Sequence, residues 1–150
     1  MADDRSASQR SETMRRVKSR DTSCELLLRS ALHRRGLRYS LRRRLPGSPD
    51  VVLVAARVAV FVDGCFWHGC PEHCRRPASN SAYWHEKIDR NMARDRRVTA
   101  ELDALGWRVV RLWEHEVRAS PGRCAARIGR IARNRLERRG RVGKSPARAL

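Results

Sequence analysis

Apolar positions fall into helix-like and strand-like rhythms, in an order that outlines the chain before any other property is considered. Residues 1–13 are polar and carry almost nothing that can pack, so a disordered tail is expected there. Met14 and Val17 then stand three apart in the basic stretch M-R-R-V-K-S-R-D-T, which reads either as a solvated tail or as an arm (14–21) that orders on a polyanion. From Thr22 to Arg35, Leu26, Leu27, Leu28, Ala31 and Leu32 supply the apolar face of a helix. Thr22 with Glu25 matches a capping box, and Gly36 is placed to end the helix. Leu37–Leu45 is Arg-rich and loosely alternating, an edge strand or a basic β-arm. After the Pro46-Gly47 turn and Pro49, two apolar runs, Asp50–Ala56 and Val58–Val62, are separated at Arg57 and predict an antiparallel hairpin.

Tyr83–Leu105 has the length and period of a long helix, with Ile88, Met92, Val98, Leu102 and Leu105 on one face. Trp84, His85, Lys87, Arg90, Asn91 and several arginines occupy the others, and Gly106 ends it. W-R-V-V-R-L-W reads as a further strand packed on the hairpin, with Trp107 and Trp113 in the core. After E-H-E and Pro121-Gly122, a basic helix from about Arg123 to Arg139 turns Ala125, Ile128, Ile131 and Leu136 inward. This order predicts an α+β, three-layer domain over 14–140 around a mixed sheet, followed by a basic tail over 141–150.

Charge narrows the partners. At 150 residues the chain is one domain, yet it carries a formal charge of +18. Such an excess strains a compact monomer unless a polyanion is its natural partner. Nucleic acid fits best, because each neutralised phosphate releases counterions. An anionic membrane is the competing polyanion, but no stretch of about 18 apolar residues could span one. No signal peptide opens the chain, so a cytoplasmic monomer is expected.

Chemistry concentrates in F-V-D-G-C-F-W-H-G-C-P-E-H-C, residues 61–74, which holds three of the five cysteines and two of the five histidines. An odd cysteine count with thiols close to His73 favours metal ligation over disulfides. Cys65, Cys70 and His73 offer three ligands of the type zinc prefers. The fourth is Cys74 or His115; His115 is preferred, because adjacent residues rarely both reach one tetrahedral ion. Hairpin pairing should bring Asp50 to the Val62 carbonyl and the Asp63 carboxylate, hard oxygen donors suited to magnesium. Glu25 is either a helix cap or a carboxylate aimed at that site. His68, left over between the two metal sites, is a candidate general base. Phe66, Trp67 and Trp84 are candidate wedges between base pairs, with burial against the loop as the competing reading. Arg15, Arg20, Lys87, Arg90 and Asn91 are the accompanying candidate DNA contacts.

These residues resemble one family, the very-short-patch-repair (Vsr) mismatch endonucleases. The matching segments are M-R-x-V-x-x-R-D-T-x-x-E at 14–25, L-P-G-S-P-D at 45–50, F-V-D-G-C-F-W-H-G-C-P at 61–71, Y-W-x-x-K-I-x-R-N at 83–91, R-D-R at 94–96 and G-W-R-V-x-R-L-W-E-H-E at 106–116. The resemblance implies a restriction-endonuclease-like fold with a structural zinc. It also implies nicking of duplex DNA 5′ of the thymine in a T·G mismatch, the lesion left when 5-methylcytosine deaminates. Asp50 and the Val62 carbonyl would bind magnesium, and His68 would activate water. Glu25, Asp63 and Asp95 would support them. Cys65, Cys70, His73 and His115 would hold zinc, Phe66, Trp67 and Trp84 would wedge at the mismatch, and Met14 would enter from the arm. Mismatch-repair proteins and a repair polymerase are possible further partners. The family position matching Asp63 can be histidine, and the usual nuclease E-x-K signature is absent.

A different class of function, a zinc-stapled protein that binds DNA without cutting it, would not need Asp50, Asp63 and His68 together.

Overall fold

The computed structural model describes residues 22–41, 44–65, 67–72 and 78–142. The expected N-terminal tail and arm, with Met14, Arg15 and Arg20, lie outside these residues, as do Phe66, His73 and Cys74. The elements are α1 (Ser23–Arg34), β1 (Val51–Leu53), β2 (Val58–Asp63), α2 (Ser81–Ala104), β3 (Arg108–Trp113), α3 (Glu114–Ala119) and α4 (Pro121–Val142).

The strands form one mixed sheet in the order β1-β2-β3. β1 and β2 are antiparallel, with Val51 opposite Val60, and β2 and β3 are parallel, with Asp63 opposite Trp113. The 24-residue helix α2 lies between β2 and β3 in the chain, a connection long enough for a parallel pair. The apolar run Val58–Phe61 is explained by cover on both faces of the central strand. Val58 and Val60 join Leu28, Leu32, Val117, Ala125 and Ile128 from α1, α3 and α4. Ala59 and Phe61 join Leu102 and Trp107 on the α2 side. Among the described residues this is the expected layered α+β arrangement, a mixed sheet between helices.

The helix ends follow local chemistry. The Thr22 hydroxyl accepts the Glu25 N–H at 3.3 Å, and Leu37 N–H reaches back to the Leu32 carbonyl across Gly36, whose φ of +71° suits glycine. The buried stripe of α1 corrects the expected face. Cys24, Leu28, Ala31 and Leu32 are buried, while Leu26 and Leu27 are 51% and 41% exposed. Three consecutive leucines leave the stripe ambiguous, and the sheet selects the set at helical spacing with Cys24.

Other corrections concern element ends. Among its described residues, the Arg-rich stretch after α1 contributes the bridge of Ser40 to Val52 rather than a strand. Pro121-Gly122 is the first turn of α4, where proline's missing N–H costs nothing. That helix runs to Val142, past the expected start of the tail, and Leu136 is exposed where it was expected inside. Leu105 is likewise exposed, because α2 ends at Ala104. The six-residue α3 is too short to show a period in sequence.

The choice of stripe is measurable by denaturant unfolding. Leu32→Ala should cost about 2–5 kcal/mol as a buried truncation. Leu27→Ala should stay within about 0.5 kcal/mol. Equal losses would contradict the observed packing.

Candidate active site and metal centre

The hairpin register joins the two strand ends. Asp50 N–H donates to the Val60 carbonyl at 2.9 Å, and the Asp50 carboxylate accepts the Val62 N–H at 2.7 Å. A residue in an extended strand turns its N–H and C=O to the same side, so the Val62 carbonyl faces the Asp50 side as expected. Burial pushes the Asp50 carboxyl up to about 7 against the Val62 hydrogen bond, and the nearby charges of Glu25 and Asp63 add to the rise. Glu25 is buried at the start of α1 and pairs with Arg29 at 3.3 Å. Thr22 caps its main-chain N–H, while its side chain lies beside Asp50. A buried group of carboxylates next to a carbonyl is a hard-oxygen donor set, and it fits magnesium.

One residue further along β2 the side chain turns to the other face. Asp63 is buried there, and Arg111 on β3 places Nη1 3.1 Å from both of its oxygens. Asp95 on α2 lies 2.5 Å from His68 Nδ1, which is also 3.8 Å from Asp63. Arg111 continues to the Asp95 carbonyl at 3.2 Å and to Thr99 Oγ1 at 3.1 Å, and lies over the Phe61 ring. Burial raises the Asp63 pKa despite the cations beside it. For His68, burial works downward, but the Asp95 hydrogen bond and the Asp63 charge prevail and the pKa is raised. A ring whose Nδ1–H is held by Asp95 presents Nε2 as its acceptor. This corrects the expected place of Asp63: strand alternation turns it away from Asp50 and Val62, and it meets His68 and Asp95 instead. Arg111 was not foreseen; the available signal was a charged residue between Val110 and Leu112 in a strand covered on both faces, where a cation needs a partner.

The second metal candidate lies on the loop after β2. His115 Nδ1 is 3.3 Å from Cys65 Sγ and 3.7 Å from Cys70 Sγ. All three ligand atoms are within 4.8 Å of one another. Two thiols and an imidazole fit zinc by softness and type. His115 Nε2 faces Glu72 at 3.7 Å, the outer carboxylate that commonly orients a ligating imidazole. Burial raises the Cys65 thiol pKa, so metal uptake would release its proton. The loop closes onto His115, while Cys74, the other candidate for the fourth ligand, lies outside the described residues.

Packing of the loop on α2 fixes the aromatic group. Gly69 has φ +68°, and a Cβ there would come within 2.6 Å of the Met92 sulfur, so this close approach requires glycine. Asn91 Nδ2 donates to the Trp67 carbonyl at 3.0 Å, and Lys87 lies over the Trp67 and Tyr83 rings. Trp67 is half-buried, whereas Trp84 is only 7% exposed, 5.8 Å beneath it. Trp84 therefore sits as a support for Trp67, in line with the burial reading rather than the wedge. Arg90 is exposed and paired with Glu86.

A raised carboxyl pKa makes the folded state hold a proton more tightly than the unfolded chain. The stability from protonated Asp50 is therefore complete below its unfolded pKa of 3.8 and lost as pH rises through about 7. Without metal, Asp50→Asn should raise the melting temperature at pH 8, leave it nearly unchanged at pH 4, and remove any stabilisation by Mg²⁺ at pH 8. Thermal melts with and without Mg²⁺ check this, and an Asn variant less stable at pH 8 would contradict it.

Comparison with known proteins agrees with this geometry. The profile of the family described as DNA mismatch endonuclease Vsr matches residues 2–76. The chain is 49% identical to the type II nicking enzyme V.NaeI of Lentzea aerocolonigenes, over 71% of this chain and 68% of that one. It is 43% identical to the nicking enzyme V.XorIIP of Xanthomonas oryzae pv. oryzae, covering 87% and 97% of the two chains. Against the DNA mismatch endonuclease Vsr of Escherichia coli (strain K12) the identity is 42%, covering 79% and 77%. With its strand-end carboxylates and thiol-rich loop inside the matched region, the chain belongs to the Vsr family of DNA mismatch endonucleases.

Proposed function

We propose that this protein is a DNA mismatch endonuclease that nicks duplex DNA 5′ of the thymine in a T·G mismatch, by magnesium-dependent hydrolysis on a restriction-endonuclease-like core. The observation that carries the reading is the meeting of Asp50, the Val62 main chain and Glu25 on one side of the β2 end, with His68 held by Asp95 near the other. Asp50 and the Val62 carbonyl are the ligands for magnesium. When bound, that ion supplies positive charge beside the scissile phosphate. His68 Nε2 takes the proton of the attacking water, and Asp95 holds the ring in the required tautomer. Asp63, paired with Arg111, adds negative charge next to the imidazolium that results.

The rest of the site serves recognition. A chain with 34 Lys and Arg against 16 acids attracts the duplex over distance. Trp67, braced by Trp84 and Asn91, is the described ring best placed to enter beside the mismatch, with Phe66 next to it in the chain. Unstacking a mispaired step costs less than unstacking a matched one, which favours the lesion. Zinc held by Cys65, Cys70 and His115, with His73 as the fourth ligand, orders the loop that carries these rings and His68. Lys87 and Arg90 on α2, together with Met14, Arg15 and Arg20 of the arm, contact the duplex. The nick leaves an end on which a repair polymerase could act.

Nicking assays test the reading. With Mg²⁺, a T·G duplex should be cut and a matched T·A duplex left intact; equal cutting of both, or none, would refute it. Asp50→Ala should bring nicking to background while gel-shift binding persists. His68→Ala should lose roughly 10²–10⁴-fold in rate, the usual contribution of a general base. Because the His68 pKa is raised, the wild-type rate should climb with pH to a midpoint above the ordinary 6.5, and Asp95→Asn should move that midpoint down. For the zinc site, metal analysis should find one zinc per chain, and the Cys65→Ala, His115→Ala double variant should lose it together with nicking. A folded, active, zinc-free double variant would exclude the staple.

A further inference from the structure

Asp63, His68 and Asp95 bring ligand atoms within 4.8 Å of one another, a carboxylate–imidazole set of the kind that holds divalent metals. The oxygen site at Asp50 and Val62 lies at the end of the same strand. Two neighbouring donor groups raise the question of which one a divalent ion enters, and the surroundings of the second group answer it. Arg111 places Nη1 3.1 Å from both Asp63 oxygens and 3.7 Å from Asp95 Oδ1. Three further contacts fix the same guanidinium: the Asp95 carbonyl, Thr99 Oγ1 and the Phe61 ring 4.3 Å away. The Asp95 carboxylate is at the same time engaged by His68 Nδ1.

We propose that Arg111 acts as the resident cation of the Asp63–His68–Asp95 group, excluding a divalent ion from it so that the ion enters at Asp50 and Val62 and His68 remains free to move a proton. The inference rests on the metal site assigned above. A guanidinium cannot lose its charge at any working pH, and its planar fork matches both oxygens of one carboxylate. A divalent ion at this group would have to displace Arg111 from all of these contacts or sit beside a fixed positive charge. It would also take the Asp95 oxygen that orients His68. Arg111 acts through Asp63 and Asp95, so it is a positioning residue.

Manganese is the probe, added to full-length zinc-loaded protein without DNA and read by electron paramagnetic resonance. Wild-type protein should bind Mn²⁺ in a manner lost with Asp50→Asn and should show no nitrogen coupling from His68. Arg111→Met, which keeps an apolar stem over Phe61, should bind one additional Mn²⁺ per chain with imidazole nitrogen coupling. Adding Asp95→Asn to it should remove the extra ion. Arg111→Lys should keep the wild-type count. The proposal is overturned if folded Arg111→Met binds no more than wild type, or if wild-type Mn²⁺ already shows a nitrogen coupling that disappears in His68→Ala. Should Arg111→Met fail to fold, the nitrogen measurement on wild type decides alone. If wild-type binding survives Asp50→Asn, the magnesium assignment fails instead, and the count in Arg111→Met can still be read.

Discussion

The hydrogen bond from the Val62 N–H to the Asp50 carboxylate, 2.7 Å long, ties the beginning of β1 to the end of β2, and the site is arranged around it. It exists because the hairpin pairs Val51 with Val60; a slip of one residue would turn every side chain of β1 to the other face. Strand alternation then divides the chemistry. Val62 faces Asp50 and the helix carrying Glu25, while Asp63, the next residue, faces Arg111, Asp95 and His68. Two groups of acidic side chains are thus separated by a single step along one strand.

The parallel pairing of β2 with β3 supports both halves. It sets Arg111 beside Phe61, from which its guanidinium reaches Asp63. Two residues beyond the end of the same strand, His115 reaches Cys65 and Cys70. A polar, glycine-containing loop has little apolar surface to order it, and here it is held at both ends. Cys65 and Cys70 meet His115, and the Trp67–Gly69 segment rests on Asn91 and Met92 of α2. His68 lies between these attachments, which is how a loop residue acquires a defined ring position.

Charge is distributed in two layers. The surface is overwhelmingly basic, yet the two buried charged residues among those described, Glu25 and Asp63, are both acids at the site. A polyanion is attracted to the outside, and a small cation to the inside. The same carboxylates would repel a bare phosphate, so a cation beside them would reconcile the interior acids with the exterior arginines. Arg111 is the exception, a half-buried cation committed to these acids.

The sequence alone determined whatever depends on local pattern: the hairpin and its strand ends, the long second helix, the basic C-terminal helix and the grouping of thiols and imidazoles on one loop. These follow from alternation, helical period and the conformational demands of glycine and proline, which act over a few residues. Tertiary structure decided what depends on a neighbour distant in the chain. Leu26 and Leu27 face solvent because the sheet lies on the side of Leu28 and Leu32. Trp84 is covered because Trp67 folds over it. Arg111 falls inside the G-W-R-V-x-R-L-W segment, but its role comes from Asp63 and Asp95, residues 48 and 16 positions away. A half-buried charge in a covered strand is intelligible only once its counter-charges, supplied by other elements, have been brought to it.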